Sequence, residues 1–141
     1  MSFQLAPHPS YAPPVPPPPA EQAPRVLAVI LDHDDVALTL PAAIAMATEE
    51  ERELCVAVIR PRPRWSTDPA QCALLTEEVD RQVGDLLDGV SAATAAAGVA
   101  PIVTVHLLTG LQGRHRRQVL ERVVSRLAQH YDARPLGTWA A

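Results

Sequence analysis

The stretch that decides the fold is residues 26–35, VLAVILDHDD. Its first six residues form a short, unbroken apolar run, which is typical of a strand covered on both faces in a parallel sheet. Its last four residues form a polar turn with the acidic chemistry that caps a helix. A buried strand that leads directly into a helix start predicts the beginning of an alternating β/α chain.

Two more apolar runs repeat this pattern, at residues 54–59 (LCVAVI) and 102–108 (IVTVHLL). Each is followed by a loop and helical spacing, so we expect parallel pairing with helices on both faces of the sheet. A fourth short strand has a source only in residues 134–138, where Pro135 and Gly137 argue against a good one. The sequence therefore predicts an open parallel α/β sheet of three to four strands.

The helix boundaries follow from proline and glycine. Pro41 lies in the first helical pattern, so that helix either begins there or kinks there. The second helix begins at an Asp68 cap and ends at Gly98. Gly84 and Gly89 each weaken it by about 1 kcal/mol relative to alanine, which favours a bend.

The predicted core combines sheet residues with helix residues packed over them. The sheet residues are Val29, Ile30, Val56, Val58, Val103 and Val105. The helix residues are Leu75, Val79, Leu86, Val123 and Leu127. We expect an aspartate at Val79 to cost several kcal/mol, because it would bury an unpaired charge.

Composition separates a tail from a single domain. Residues 1–24 hold nine of the 15 prolines and predict a disordered tail, which leaves residues 25–141 as one α/β domain.

The net charge of −4 gives no positive field for nucleic acid. No apolar run approaches a membrane span, and the start lacks a secretion signal. Cys55 and Cys72 have no metal spacing, so we expect reduced core cysteines in a cytoplasmic protein.

Residues 25–131 resemble the first three-quarters of a universal stress protein. The resemblance lies in RVLAV at 25–29, the acidic turn after it, the alanine-rich first helix, the long second helix, AGV at 97–99 and Thr109-Gly110. It implies a HUP-type fold in a C-terminally truncated form. The family's nucleotide-binding glycine motif has no counterpart, since Gly137 is the only glycine after Gly113. The family also has an aspartate at the end of its first strand, near the base and ribose of the bound nucleotide. The resemblance gives this role to Asp32.

The acidic run 32–35 has two interpretations. Asp32, His33, Asp34 and Asp35 bring together metal-ligating groups, yet a metal site needs ligands that converge from other loops. The alternative is a helix cap with surplus acidic residues, which the helix dipole favours. We expect the cap and no resident metal.

The last helix begins with cations that oppose its dipole. Arg114 and Arg116 lie there, and Gly110 and Gly113 bracket the turn before them. Exposed amides at a helix start can bind an anion, so this turn is a candidate phosphate site. The alternative is a solvated charged face, supported by Arg117 and Glu121 four residues apart.

The sequence favours a small, cytoplasmic, non-enzymatic interaction or regulatory module in the stress response, without a cofactor. It expects a protein partner or a homodimer through an exposed sheet edge, beside the last strand and flanked by Leu136 and Trp139. The alternative function is binding of ATP or phosphate by Asp32 and the 110–117 turn. The resemblance to a family whose glycine motif is absent here implies ATP dissociation constants no tighter than about 1 mM.

Overall fold

The computed structural model describes residues 23–139. The predicted tail falls outside this range, apart from Ala23 and Pro24. Ala23 is buried, and the Pro24 carbonyl accepts a hydrogen bond of 3.2 Å from the Glu53 amide. The elements in chain order are β1 (Arg25–Ile30), α1 (His33–Glu49), β2 (Glu53–Pro61), α2 (Pro69–Ala97), β3 (Ile102–Leu108), α3 (Arg116–Tyr131) and β4 (Ala133–Leu136).

The four strands form one parallel sheet in the order β3-β2-β1-β4. The prediction of an open parallel α/β sheet is confirmed, and β4 supplies the fourth strand. Pro135 lies within β4, on an edge of the sheet, where a missing N–H is tolerated. The chain reverses its direction across the sheet between β1 and β4, which is the topological switch point of a doubly wound sheet.

Helices cover both faces of the sheet. Side chains alternate along β1, so Val26 and Ala28 pack under α1 and α2, while Leu27 and Val29 pack under α3. This alternation divides the core into two clusters, and both are apolar because the two central strands are covered on each face. α1 and α2 share one face because consecutive right-handed crossovers lead from β1 to β2 to β3.

The core prediction is confirmed for the central strands, for Leu86 of α2 and for the last helix. Val29, Ile30, Val56, Val58 and Leu86 are buried. Val123 and Leu127 pack against the α3-side cluster.

The prediction was wrong for β3, where Val103 and Val105 are 39% and 41% exposed. β3 is an edge strand, and α2 packs against α1 and β2 instead of covering it. It was also wrong for Leu75 and Val79, which are half-buried and lie outside both core clusters. They belong to the N-terminal half of α2, and the first buried residue of this helix is Leu86.

The helix ends depend on local capping chemistry. Asp32 caps α1 by accepting a 3.0 Å hydrogen bond from the Asp35 amide, so the helix begins eight residues before Pro41 and not at it. α2 ends at Gly98, as predicted, with the left-handed φ of +71° that glycine tolerates. Within residues 23–139, no helix is long and apolar enough to cross a bilayer.

Candidate functional site

The carboxyl ends of all four strands meet at one edge of the sheet, because every pairing is parallel. Open α/β sheets bind ligands at this edge. The segments that follow β1, β2, β3 and β4 therefore contain the first places to look for a site. They hold three arrangements of polar side chains.

The first arrangement is a buried carboxylate at the switch point. Asp35 is 2% exposed and accepts hydrogen bonds from the Leu31 amide at 2.8 Å, from Thr39 Oγ1 at 3.0 Å and from Thr138 Oγ1 at 3.1 Å. These bonds join the end of β1, the first turns of α1 and the segment after β4. Its lone pairs are engaged by the protein, so Asp35 acts as a structural clasp and not as a free ligand.

The acidic run 32–35 lies at the start of α1. Among residues 23–139, no three His, Cys, Asp or Glu side chains converge as metal ligands would. Asp32 serves as the helix cap, which is the interpretation that the sequence favoured.

The second arrangement is a cavity of about 280 Å³ that contains Asp32. Arg60 also lines the cavity and donates to the Leu31 carbonyl at 2.7 Å and to Gln82 Oε1 at 2.9 Å. Its Nε is buried without a hydrogen-bond partner among the described residues. Asp85 and Arg81, which also line the cavity, form an ion pair at 3.5 Å. Both signs of charge therefore meet in this cavity.

The third arrangement is a cleft of about 380 Å³ between the segments that follow β2 and β3, which we name the arginine–tryptophan cleft. Two contacts join its walls. The Arg62 amide donates to the Leu108 carbonyl at 2.8 Å. Arg64 donates from Nε and Nη2 to Gln112 Oε1, at 3.3 and 3.1 Å. The lining residues are Pro61, Arg62, Pro63, Arg64, Trp65, Leu108, Thr109, Gly110, Leu111, Gln112 and Gly113.

The predicted ligand residues occupy separate places. Gly110 and Gly113 line the arginine–tryptophan cleft, whereas Asp32 lines the other cavity. Arg114 and Arg116 are exposed near the start of α3 and line neither space. Gly110 has a φ of +84°, which explains a glycine at this turn. The predicted ion pair of the last helix is confirmed, with Arg117 Nε 3.2 Å from Glu121 Oε1.

Sequence reasoning missed the residues that give the cleft its character. Arg62, Arg64 and Trp65 belong to the stretch RPRPRW at 60–65, in which alternating arginines end at an aromatic residue. That combination was a usable signal, because arginine with an aromatic neighbour is a common recognition pair.

Two groups on the strands have shifted pKa values. Burial raises the pKa of the Cys55 thiol, which Arg25 lowers and Glu53 raises to smaller extents. Cys55 and Cys72 are both free, but only Cys55 is buried. Burial lowers the pKa of His106 on β3, whose Nε2 lies 2.9 Å from Thr104 Oγ1. A thiol with a raised pKa is a poor nucleophile at neutral pH.

Comparisons with protein-family models, with curated proteins and with solved structures found no match to this chain.

Proposed function

We propose that this chain is a small, non-enzymatic interaction module of the universal-stress type, and that it works by pairing the open edge of β3 with a second copy. The observation that carries the proposal is the exposed apolar row on that edge. Ile102, Val103 and Val105 are 42%, 39% and 41% exposed. An unpaired edge strand of seven residues with apolar side chains is a template for another strand.

A second copy fits this edge because the strand complements itself. If two β3 strands pair antiparallel about a two-fold axis through Val105, Val103 lies opposite Leu107 of the other copy on the α1/α2 face. On the α3 face, Ile102 lies opposite Leu108 and Thr104 opposite His106. Every apolar residue then meets an apolar one, and each such pair adds about 0.2–1 kcal/mol. This isologous contact closes as a dimer.

The edge beside β4 supports docking less well, although the sequence favoured it. Leu136 and Trp139 are half-buried and pack against the two core clusters. β4 is four residues long and contains Pro135, which donates no hydrogen bond. The apolar surface that a partner strand would cover lies on the β3 side.

Light scattering at rising protein concentration tests the proposal. We expect the mass to rise from 15.2 kDa toward twice that value. Val105→Lys should hold the chain as a monomer, since a lysine at the two-fold axis would face its copy. Leu74→Lys is the matched control, because Leu74 is 66% exposed and lies on α2 instead of β3. A wild type that stays monomeric, or a control that dissociates equally, would overturn the proposal.

The second candidate function is ATP or phosphate binding at Asp32. It is favoured by the position of Asp32 beside Arg60 at the carboxyl end of β1. A thermal shift with ATP and magnesium tests it, because a ligand that binds only the folded chain raises the melting temperature. Micromolar ATP affinity that is lost in Asp32→Asn would promote this candidate over the interaction module.

A further inference from the structure

We propose that the arginine–tryptophan cleft is a binding site for a small aromatic anion, meaning a flat ring that carries a phosphate or a carboxylate. This site shares Leu108 with the β3 pairing surface and is separate from the Asp32 cavity. The inference rests on the charge of the cleft, on an exposed tryptophan and on its size.

The charge of the cleft is positive and uncompensated. Arg62 and Arg64 line it, and no carboxylate is among its lining residues. Within residues 23–139, neither arginine takes part in an ion pair. Glu78 lines the adjoining cavity, but it is already bonded to Arg81 and Gln82. A ligand anion would therefore supply the missing negative charge.

The arginines are held in place by neutral acceptors. Gln112 Oε1 accepts two hydrogen bonds from Arg64, and the Leu107 carbonyl accepts a longer one of 3.4 Å from Arg62 Nη2. Each guanidinium group has five N–H donors in a fixed plane, so donors remain for a ligand. Phosphate and carboxylate match this planar geometry with paired hydrogen bonds.

Trp65 provides the surface for the ring. It is 83% exposed although it is among the largest apolar side chains, and it lines the cleft beside the two arginines. Leu108 and Leu111 line the same space. A ring stacked on Trp65 would cover apolar surface that the fold leaves in water.

The size and the overall charge favour a small molecule. The volume of about 380 Å³ falls within the range of small-molecule pockets, roughly 300–1,000 Å³. The chain as a whole carries a net charge of −4, which opposes the approach of a long polyanion such as nucleic acid. The ligand class is therefore a compact aromatic anion.

The experiment uses four probes on the full chain: phenyl phosphate, benzoate, inorganic phosphate and phenol. Tryptophan fluorescence reports binding directly, because Trp65 is exposed while Trp139, the other tryptophan, is half-buried. We expect the dissociation constants of phenyl phosphate or benzoate, measured by this quenching, to be at least about tenfold lower than those of inorganic phosphate or phenol. The comparison of the first two probes identifies which anion the arginines prefer.

The variants separate a built site from diffuse attraction. Arg64→Gln should weaken binding at least about tenfold, because it removes charged hydrogen bonds. Arg126→Gln removes the same charge from an exposed position on α3 and should leave the affinity unchanged. Trp65→Ala should abolish saturation transfer from the protein to the ring protons in NMR, while circular dichroism stays that of the wild type.

Three results would overturn the site. One is the absence of quenching up to about 10 mM of either aromatic anion. Another is equal weakening by Arg64→Gln and Arg126→Gln, which would indicate nonspecific charge attraction. The third is tighter binding of a single-stranded oligonucleotide than of phenyl phosphate. The oligomeric state is a different readout, so failure here and failure of the β3 pairing are distinguishable.

Discussion

Asp35 is the residue on which the carboxyl edge of the sheet depends. It is buried, and its three partners come from Leu31 directly after β1, from α1 and from the segment after β4. We expect Asp35→Asn to lower the free energy of unfolding by about 1–3 kcal/mol, because an amide places N–H groups against donors. Urea denaturation measures this change.

Asp34→Asn is the control for Asp35. Asp34 is exposed in the same helical turn, so its neutralisation removes only a favourable dipole interaction worth a few tenths of a kcal/mol. Equal losses in the two variants would contradict the clasp role of Asp35.

We expect the stability of the chain to depend on pH through His106. Burial lowers its folded-state pKa below the ordinary value of 6.5, so the unfolded chain binds more protons between these two values. The free energy of unfolding should therefore be highest above pH 6.5 and fall as pH drops through the folded-state pKa. We expect His106→Gln to lack this component in urea denaturation measured across that window, at concentrations that keep the chain monomeric. A wild type that gains stability over the variant on acidification would refute the prediction.

At the element scale, the two halves of α2 differ in how deeply their apolar side chains are buried. Leu86 is 3% exposed and belongs to the core under α1 and α2, whereas Val79 lines a surface cavity. We expect Leu86→Ala to cost about 2–5 kcal/mol of unfolding free energy through the cavity that it leaves. Val79→Ala should cost less than about 1 kcal/mol. Thermal or urea unfolding of both variants measures these losses. A larger loss of unfolding free energy for Val79→Ala than for Leu86→Ala would show that Val79 faces the core, as the sequence predicted.

Two glycines in α2 give a second test of this helix. A Cβ at Gly84 meets nothing within 4 Å, so Gly84→Ala should raise the free energy of unfolding by about 0.4–1 kcal/mol. A Cβ at Gly89 lies 3.1 Å from Val36 Cγ1, so Gly89→Ala must displace that side chain and should gain less. If Gly84→Ala destabilises the chain, the open space at this position is occupied in solution.

The order of the strands explains which parts of the fold the sequence could predict and which it could not. The apolar runs at residues 26–31 and 54–59 predict buried strands. In the structure they form the two central strands, which are covered on both faces. Residues 102–108 have the same apolar content, yet they form an edge, because the order of strands in a sheet is a tertiary property. The predicted burial of Val103 and Val105 failed for that reason. The cleft was missed because its two walls, at 61–65 and 108–113, are distant in sequence.

For the whole molecule, both proposed surfaces lie on the β3 side of the sheet. The pairing edge runs along β3, and the arginine–tryptophan cleft opens where β2 and β3 end. β1 and the Asp35 clasp lie at the other side of β2, within the stable core. The fold thus separates the residues that hold it together from the residues left available for partners.

This arrangement predicts that stability depends on protein concentration. If the chain pairs through β3 as we propose, the pairing requires the folded edge, so the dimer would stabilise the folded state by mass action. Above the dissociation constant, each tenfold rise in concentration should add about 1.4 kcal/mol per dimer, which is a shift of several degrees in melting temperature. Differential scanning calorimetry over a wide concentration range measures this shift. Val105→Lys should melt at one temperature at every concentration, whereas Leu74→Lys should follow the wild type. A cleft ligand should still raise the melting temperature of Val105→Lys and Leu74→Lys, because Val105 and Leu74 lie outside the cleft. If the Val105→Lys variant kept the concentration dependence, association would have to run through another surface.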